Sequence, residues 1–209
     1  MSPNQISIHR YRRHAAGYDR SARLTMPLRE RTIERLQLRQ GDVVLDVGAG
    51  TGLSFAPLLA RVGPAGRVLA FEQSPEMFVQ AEARASGRGW SKVWLQQTAA
   101  EKVRLPVAAD AVLFNYVHDV SRSAAAVTNI LRQCKPGARV AMAGMKYFPW
   151  WTGPLNLLAW AKNRPYNALA ADLWSPWDLV QAHCDPFECA STQLGMGYIA
   201  WGRLKQVLP

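Results

Sequence analysis

The ten residues Val43-Val44-Leu45-Asp46-Val47-Gly48-Ala49-Gly50-Thr51-Gly52 constrain this chain more than any other stretch. They open as an apolar, β-branched run, which predicts a buried strand of a parallel sheet. Three glycines spaced two apart follow, and Leu53 to Ala60 then predicts a helix. A strand, a glycine turn and a helix form the start of a nucleotide-binding α/β unit. The spacing excludes the dinucleotide fingerprint, whose third glycine falls three positions after its second; Leu53 stands there. Gly48 and Gly50 let the backbone turn tightly and approach a ligand where a Cβ would clash.

The pattern Asp46-x-Gly48-x-Gly50-x-Gly52 resembles the first motif of class I S-adenosylmethionine-dependent methyltransferases. The next predicted strand, Val68 to Phe71, ends in Glu72, where an acid is placed to bind two ribose hydroxyls. Ser74 suits a helix cap and Pro75 the first helical position. The run Phe71 to Met77 looks like the family's second motif, and Lys135-Pro136-Gly137 before a fifth strand is also similar; the resemblance covers roughly residues 41–145. It implies a Rossmann-like α/β fold, a seven-stranded, mostly parallel sheet with helices on both faces and the last strand antiparallel. It also implies S-adenosyl-L-methionine as cofactor and S-adenosyl-L-homocysteine as product. Carried onto this chain, the cofactor set is Asp46, Gly48, Ala49, Gly50, Gly52, Glu72, Gln73, Met77, Ala99, Ala100 and Asn115. Two positions depart from the family. Ala99 stands where relatives usually carry an aspartate for the adenine, and Gln73 is more polar than the usual apolar adenine cover.

At 209 residues the chain is expected to form one methyltransferase domain: a helical lid over 1–40, the cofactor core over 41–145, and an aromatic-rich substrate cover with a terminal hairpin over 146–209. Hydrophobic content of 49% and charged content of 19% suit a soluble globular chain, and no apolar run is long enough to span a membrane. The N-terminal arginines lack the apolar core of a secretion signal, so a cytoplasmic location is expected. Cys134, Cys184 and Cys189 are too few for a disulfide framework and have no metal-ligand spacing, so free thiols and no metal are expected.

The formal charge is +10, and residues 1–40 carry nine arginines against Asp19, Glu30 and Glu34. One reading is solubility. The other is attraction to an anionic surface, including peripheral contact with the inner membrane face. Within this region Tyr18-Asp19 is similar to a Tyr-Asp pair on the N-terminal helix of small-molecule methyltransferases, which closes over the cofactor. Leu24, Leu28, Ile33 and Leu36 recur at helical spacing and predict a helix packed on the sheet, with Arg31, Glu34 and Arg35 outside.

Later elements are expected at helix 75–86, strand 93–95, strand 111–114, helix 122–133, strand 138–143 and a hairpin within 187–204. In an open parallel sheet ligands sit beyond the carboxyl ends of the strands, so Asp46, Glu72 and Asn115 should converge. Tyr147, Phe148, Trp150, Trp151, Trp160, Trp174 and Trp177 crowd the last third. They read as an apolar pocket cover, as a membrane-facing belt or as core packing.

A methyl donor activated as a sulfonium requires mainly alignment of nucleophile and leaving group, with a base only where the nucleophile arrives protonated. His118, just past a strand end, is the candidate base, with Asp119 to orient it and Tyr18 as a weaker candidate. Family members that methylate nucleic-acid amines typically carry an Asn/Asp-Pro-Pro-Tyr-like motif here. This chain has Asn115-Tyr116-Val117-His118, which argues against nucleic acid. The leading expectation is methyl transfer to oxygen or nitrogen of a small-to-medium, largely apolar acceptor. The length, the Tyr-Asp start and the run Gly63 to Leu69 also look like quinone-type and phospholipid N-methyltransferases, so a phosphatidylethanolamine-type lipid at an anionic membrane is the alternative. A non-catalytic cofactor-binding module is the alternative of another class.

Overall fold

The computed structural model of the chain describes residues 19, 22–148, 152–153, 156–157 and 173–206. The proposed roles of Tyr18 and of Trp150, Trp151 and Trp160 fall outside the described residues. In chain order the elements are α1 (Met26–Arg35), β1 (Val43–Val47), α2 (Phe55–Val62), β2 (Arg67–Glu72), α3 (Pro75–Gly87), β3 (Val93–Gln97), β4 (Ala109–Asn115), α4 (His118–Ser121), α5 (Ala124–Leu131), β5 (Cys134–Met145), α6 (Asp178–Gln181), β6 (Cys184–Thr192) and β7 (Gly197–Leu204). The strands form one seven-stranded sheet in the order β3-β2-β1-β4-β5-β7-β6. β1 to β5 pair in parallel, while β7 runs antiparallel between β5 and β6. This is the Rossmann-like architecture with an antiparallel last strand. Among the described residues no helix is long and apolar enough to cross a membrane.

The alternation of each strand divides the core into two layers. Leu45, Val47, Leu69, Phe71, Val112 and Phe114 face α5 and α6, burying with Val127, Ile130 and Val180. Val44, Val68, Ala70, Ala111 and Leu113 face α1, α2 and α3, burying with Ile33, Leu36, Leu58 and Ala81. The chain leaves β1 to build β2 and β3 on one side, then returns to add β4 on the other. The sheet therefore has its switch point between β1 and β4, where a crevice opens past the carboxyl ends. Register aligns Val47 with both Phe71 and Phe114, so Gly48, Glu72 and Asn115 emerge together at that edge.

Three expectations are corrected. The helix after the glycine turn starts at Phe55, because Gly52 holds φ +79° and prolongs the turn through Ser54. The helix expected over 122–133 is present but shorter, Ala124–Leu131, because Ser123 has extended backbone and caps it, its Oγ accepting from Ala126 N at 3.2 Å, and the short α4 precedes it as a separate turn. Leu24 does not share the buried stripe of Leu28, Ile33 and Leu36; it lies in the 3-10 turn Arg23–Thr25 ahead of α1 and is exposed. Arg31, Glu34 and Arg35 do lie on the outer face of α1, as their spacing predicts.

Candidate active site

The crevice is an open cleft of about 630 Å³, part of it open to solvent. Its floor is the glycine turn. Gly48 and Gly50 adopt φ +58° and +59°, the left-handed region that glycine enters without strain. At Gly48 a Cβ would also lie 2.8 Å from Val117 Cγ1. Ala49 N donates to Phe71 O at 3.0 Å and Gly50 N to Glu72 Oε2 at 2.9 Å. Gly48, Ala49 and Gly50 line the cleft. Gly52 does not; a Cβ there would sit 2.6 Å from the Phe55 ring, so its glycine serves the turn and that packing.

Glu72 ends β2 with its carboxyl buried in the cleft wall. Oε2 accepts from Gly50 N and Oε1 from Ser74 N at 2.8 Å. Burial raises its pKa, while hydrogen bonds from Ser74, Gly50 and Gln73 oppose the rise. A carboxylate offers about four lone pairs, so acceptor capacity for a ribose hydroxyl remains beside these backbone donors. Gln73, Met77 and Ala100 continue the wall, with Met77 fully buried. The carbonyl of Ala100 is held by Asn129 Nδ2 at 2.8 Å. Ala99 does not line the cleft, and its carbonyl accepts from Lys102 and Val103 within its own turn.

At this edge of the sheet the buried polar atoms with no partner in the described structure include Asp46 Oδ2 and both Nδ2 and Oδ1 of Asn115, which lines the cleft. Orphaned groups of this kind are rare in native interiors and fit a site shaped for a polar ligand. Burial lifts Asp46 to about 7; nearby Arg29 opposes the rise and Glu72 adds to it. Arg29 projects from α1 into the cleft, buried, with Nε donating to Thr25 Oγ1 at 3.3 Å and its guanidinium 5.1 Å from the centre of the Tyr116 ring. These groups fit the amino-acid end of an S-adenosylmethionine-like ligand, which carries an ammonium and a carboxylate.

His118 and its neighbour part company. Asp119 lines the cleft, whereas His118 is buried behind it. The imidazole Nε2 accepts from Met145 N at 3.0 Å. The ring lies on Gly144, where a Cβ would be 2.3 Å from Cε1. Burial, assisted by the charge of Arg122, lowers its pKa to about 4. The lone pair a base would use is thus already engaged with the backbone.

Arg29 and Tyr116 were not among the expected site groups, whereas Asp19 belongs to the Tyr-Asp pair expected near the cofactor. Arg29 had a signal: it stands one residue after Leu28 and four before Ile33, a charge inside an apolar stripe. Asp19 accepts from Thr51 Oγ1 at 2.6 Å and pairs with Arg84. It thereby joins the segment ahead of α1 to the glycine turn.

Among the described residues no three His, Cys, Asp or Glu side chains gather as a metal site. Cys134, Cys184 and Cys189 are free thiols; burial pushes Cys134 and Cys184 up to about 12.

Residues 44–137 match a family profile described as a methyltransferase domain. The chain is 39% identical over 61 residues to a protein-L-isoaspartate O-methyltransferase of Ignicoccus hospitalis, covering 29% of each chain. It is 33% identical over 112 residues to the ubiquinone/menaquinone biosynthesis C-methyltransferase UbiE of Pseudomonas putida, covering 52% of this chain and 44% of that one. The chain therefore spans less than half the length of these two relatives. The fold matches a SAM-dependent methyltransferase of Aquifex aeolicus with a TM-score of 0.64 at 20% identity, over 98% of this chain and 99% of that one. The profile match over residues 44–137 and the sheet order thus agree: the matched stretch is a methyltransferase domain, and the fold is that of solved S-adenosylmethionine-dependent methyltransferases.

Two measurements check the site. Glu72→Gln should weaken S-adenosylhomocysteine binding by about 1.5–3 kcal/mol, the scale of a hydrogen bond to a charged group, while the protein stays folded; calorimetry reads it. For His118, the unfolded imidazole titrates near 6.5 and the folded one near 4. Between those values the unfolded chain binds a proton that the folded one rejects, so stability rises with pH across that window. Relative to His118→Gln, the native protein should lose up to about 3 kcal/mol as pH falls from 6.5 towards 4, measured by urea unfolding.

Proposed function

We propose that this chain transfers a methyl group from S-adenosylmethionine to a small-to-medium, largely apolar acceptor, at oxygen or nitrogen. One observation carries the acceptor class: beyond the glycine turn the cleft is walled by Tyr116, Val117 and Val120, with Asp119 the ionisable side chain on that stretch. An apolar wall favours an apolar body, and a single carboxylate suits an acceptor that loses one proton.

S-adenosylmethionine, when bound, supplies a methyl group already activated by its sulfonium. The chain's own residues hold and orient. Glu72 takes the ribose hydroxyls, and the Gly48–Gly50 backbone cradles the amino-acid end. Asp46 faces its ammonium, while Arg29 and Asn115 face its carboxylate. Gln73, Met77 and Ala100 border the base, which hydrophobic and backbone contacts hold without an aspartate. Asp119, rather than His118, takes a proton from the acceptor. Asp19, bound at Thr51, supports the lid role of the N-terminal segment and of Tyr18.

A second reading rests on the relatives: one is named for methylation at carbon and one at oxygen, so an activated ring carbon is an equally reachable acceptor atom. A phosphatidylethanolamine-type lipid stays the amine alternative.

The test is turnover of labelled S-adenosylmethionine with four acceptors: a hydrophobic phenol, a demethylated quinol, phosphatidylethanolamine and an isoaspartyl peptide, with products identified by mass. Methylation of the phenol or quinol is expected. Asp119→Asn should lower kcat/KM about a hundredfold with S-adenosylhomocysteine affinity unchanged, the ordinary worth of a positioned base. Turnover of the peptide alone would contradict the apolar acceptor. A loss in His118→Gln as large as in Asp119→Asn, in a folded protein, would return the base to His118.

A further inference from the structure

Three segments converge on Tyr147 and Phe148, directly after β5. Tyr147 N donates to Leu173 O at 2.9 Å, and the Tyr147 and Trp174 ring centres are 5.2 Å apart. Asn156 Nδ2 donates to Phe148 O at 3.1 Å. At the tip of the β6–β7 hairpin, Gly195 lies so close that a Cβ on it would be 3.3 Å from the Phe148 ring. Each segment then presents an apolar side chain to water: Trp174 is 49% exposed, Leu157 68% and Leu194 99%. Leu24, 87% exposed, lies ahead of α1 at the end of that helix nearest the cleft. The course of α1 places it there, since Arg29 reaches the carboxyl-end cleft while Leu36, just past its far end, packs with Val44 and Val62.

Leu194 is held there against its own preference. Gln193 and Leu194 adopt φ +50° and +57°, left-handed conformations that side-chain-bearing residues rarely take. A strained turn that points a leucine wholly into water marks a surface with a partner. Among the described residues, the other large exposed apolar side chains are Val79 on α3, Val107 before β4 and Leu179 on α6.

Charge selects the partner. Lys146 lies within the patch, its Nζ 2.7 Å from Ser191 Oγ and 5.9 Å from the Trp177 ring centre. Arg10, Arg12, Arg13, Arg20 and Arg23 precede Leu24 in a chain of net charge +10. We propose that this rim docks on an anionic lipid bilayer. Leu157, Trp174, Leu194 and Leu24 enter the boundary between headgroups and acyl chains, and Lys146 meets the headgroups. The cleft opens on the same side of the sheet, so an apolar acceptor dissolved in the bilayer would reach it without crossing water. The docking itself stands apart from the identity of the acceptor.

Co-sedimentation with vesicles tests it without any turnover. The native protein should sediment with phosphatidylglycerol-containing vesicles at low salt, less at high salt, and weakly with phosphatidylcholine alone. Leu194→Ser should weaken partitioning about tenfold, the worth of burying one leucine side chain. Leu194→Ser combined with Trp174→Ser should weaken it further. S-adenosylhomocysteine calorimetry confirms that both variants keep the fold and the cleft. Failure of the native protein to sediment, or equal sedimentation of the double variant, overturns the proposal. So does a change of mass in the variants by light scattering, which would give the rim to a second copy of the chain. Retention on polyribonucleotide in place of vesicles overturns it too.

Discussion

The hydrogen bond from Gly50 N to Glu72 Oε2 joins the two loops on which the cleft depends. Through it, the turn after β1 is fastened to the end of β2; the second oxygen of the same carboxyl, bonded to Ser74 N, fixes the start of α3. Left-handed backbone at Gly48 and Gly50 makes this geometry accessible, and the parallel register of β1 with β2 and β4 brings the partners to one edge. Remove the carboxyl and the floor, the wall and the helix start lose a common anchor.

Around that anchor the protein keeps titratable groups in places that resist charge. Asp46 is lifted to about 7 and His118 lowered to about 4, both chiefly by burial, with opposite consequences. The folded-state pKa of Asp46 lies above its unfolded value, so its contribution to stability is lost as pH rises through about 7. That of His118 lies below, so its penalty grows as pH falls from 6.5. The two differ in purpose. Asp46 has an orphaned oxygen beside Arg29 and Glu72, and a cationic ligand would relieve its burial. His118 has given its Nε2 to the backbone of Met145 and serves as packing under the cleft.

The glycine turn, the acid ending β2 and the antiparallel terminal strand were legible in the chain because each follows from local spacing or from a family motif. The details that failed to show were those set by tertiary neighbours. Ser123 caps α5 and so starts it at Ala124 rather than at 122. Leu24 fits the helical spacing of Leu28 and Ile33, but the 3-10 turn directs it to water. Gly52 belongs to the motif, yet the Phe55 ring is what needs the space. Adjacent residues His118 and Asp119 diverge at the first turn of α4, so sequence position could not say which one meets the cleft. Arg29 was hidden by the many arginines around it, whose solvent-facing role is the ordinary one.

The central claim is that the cleft holds the cofactor through buried groups, with Asp46 charged in the complex. Its most direct test is calorimetric titration with S-adenosylhomocysteine between pH 6 and 8, in buffers of different ionisation enthalpy. The account predicts binding that tightens as pH rises through about 7, with proton release below that pH, and loss of both effects in Asp46→Asn. Absence of binding, or an affinity and proton balance indifferent to pH in the native protein, would contradict it.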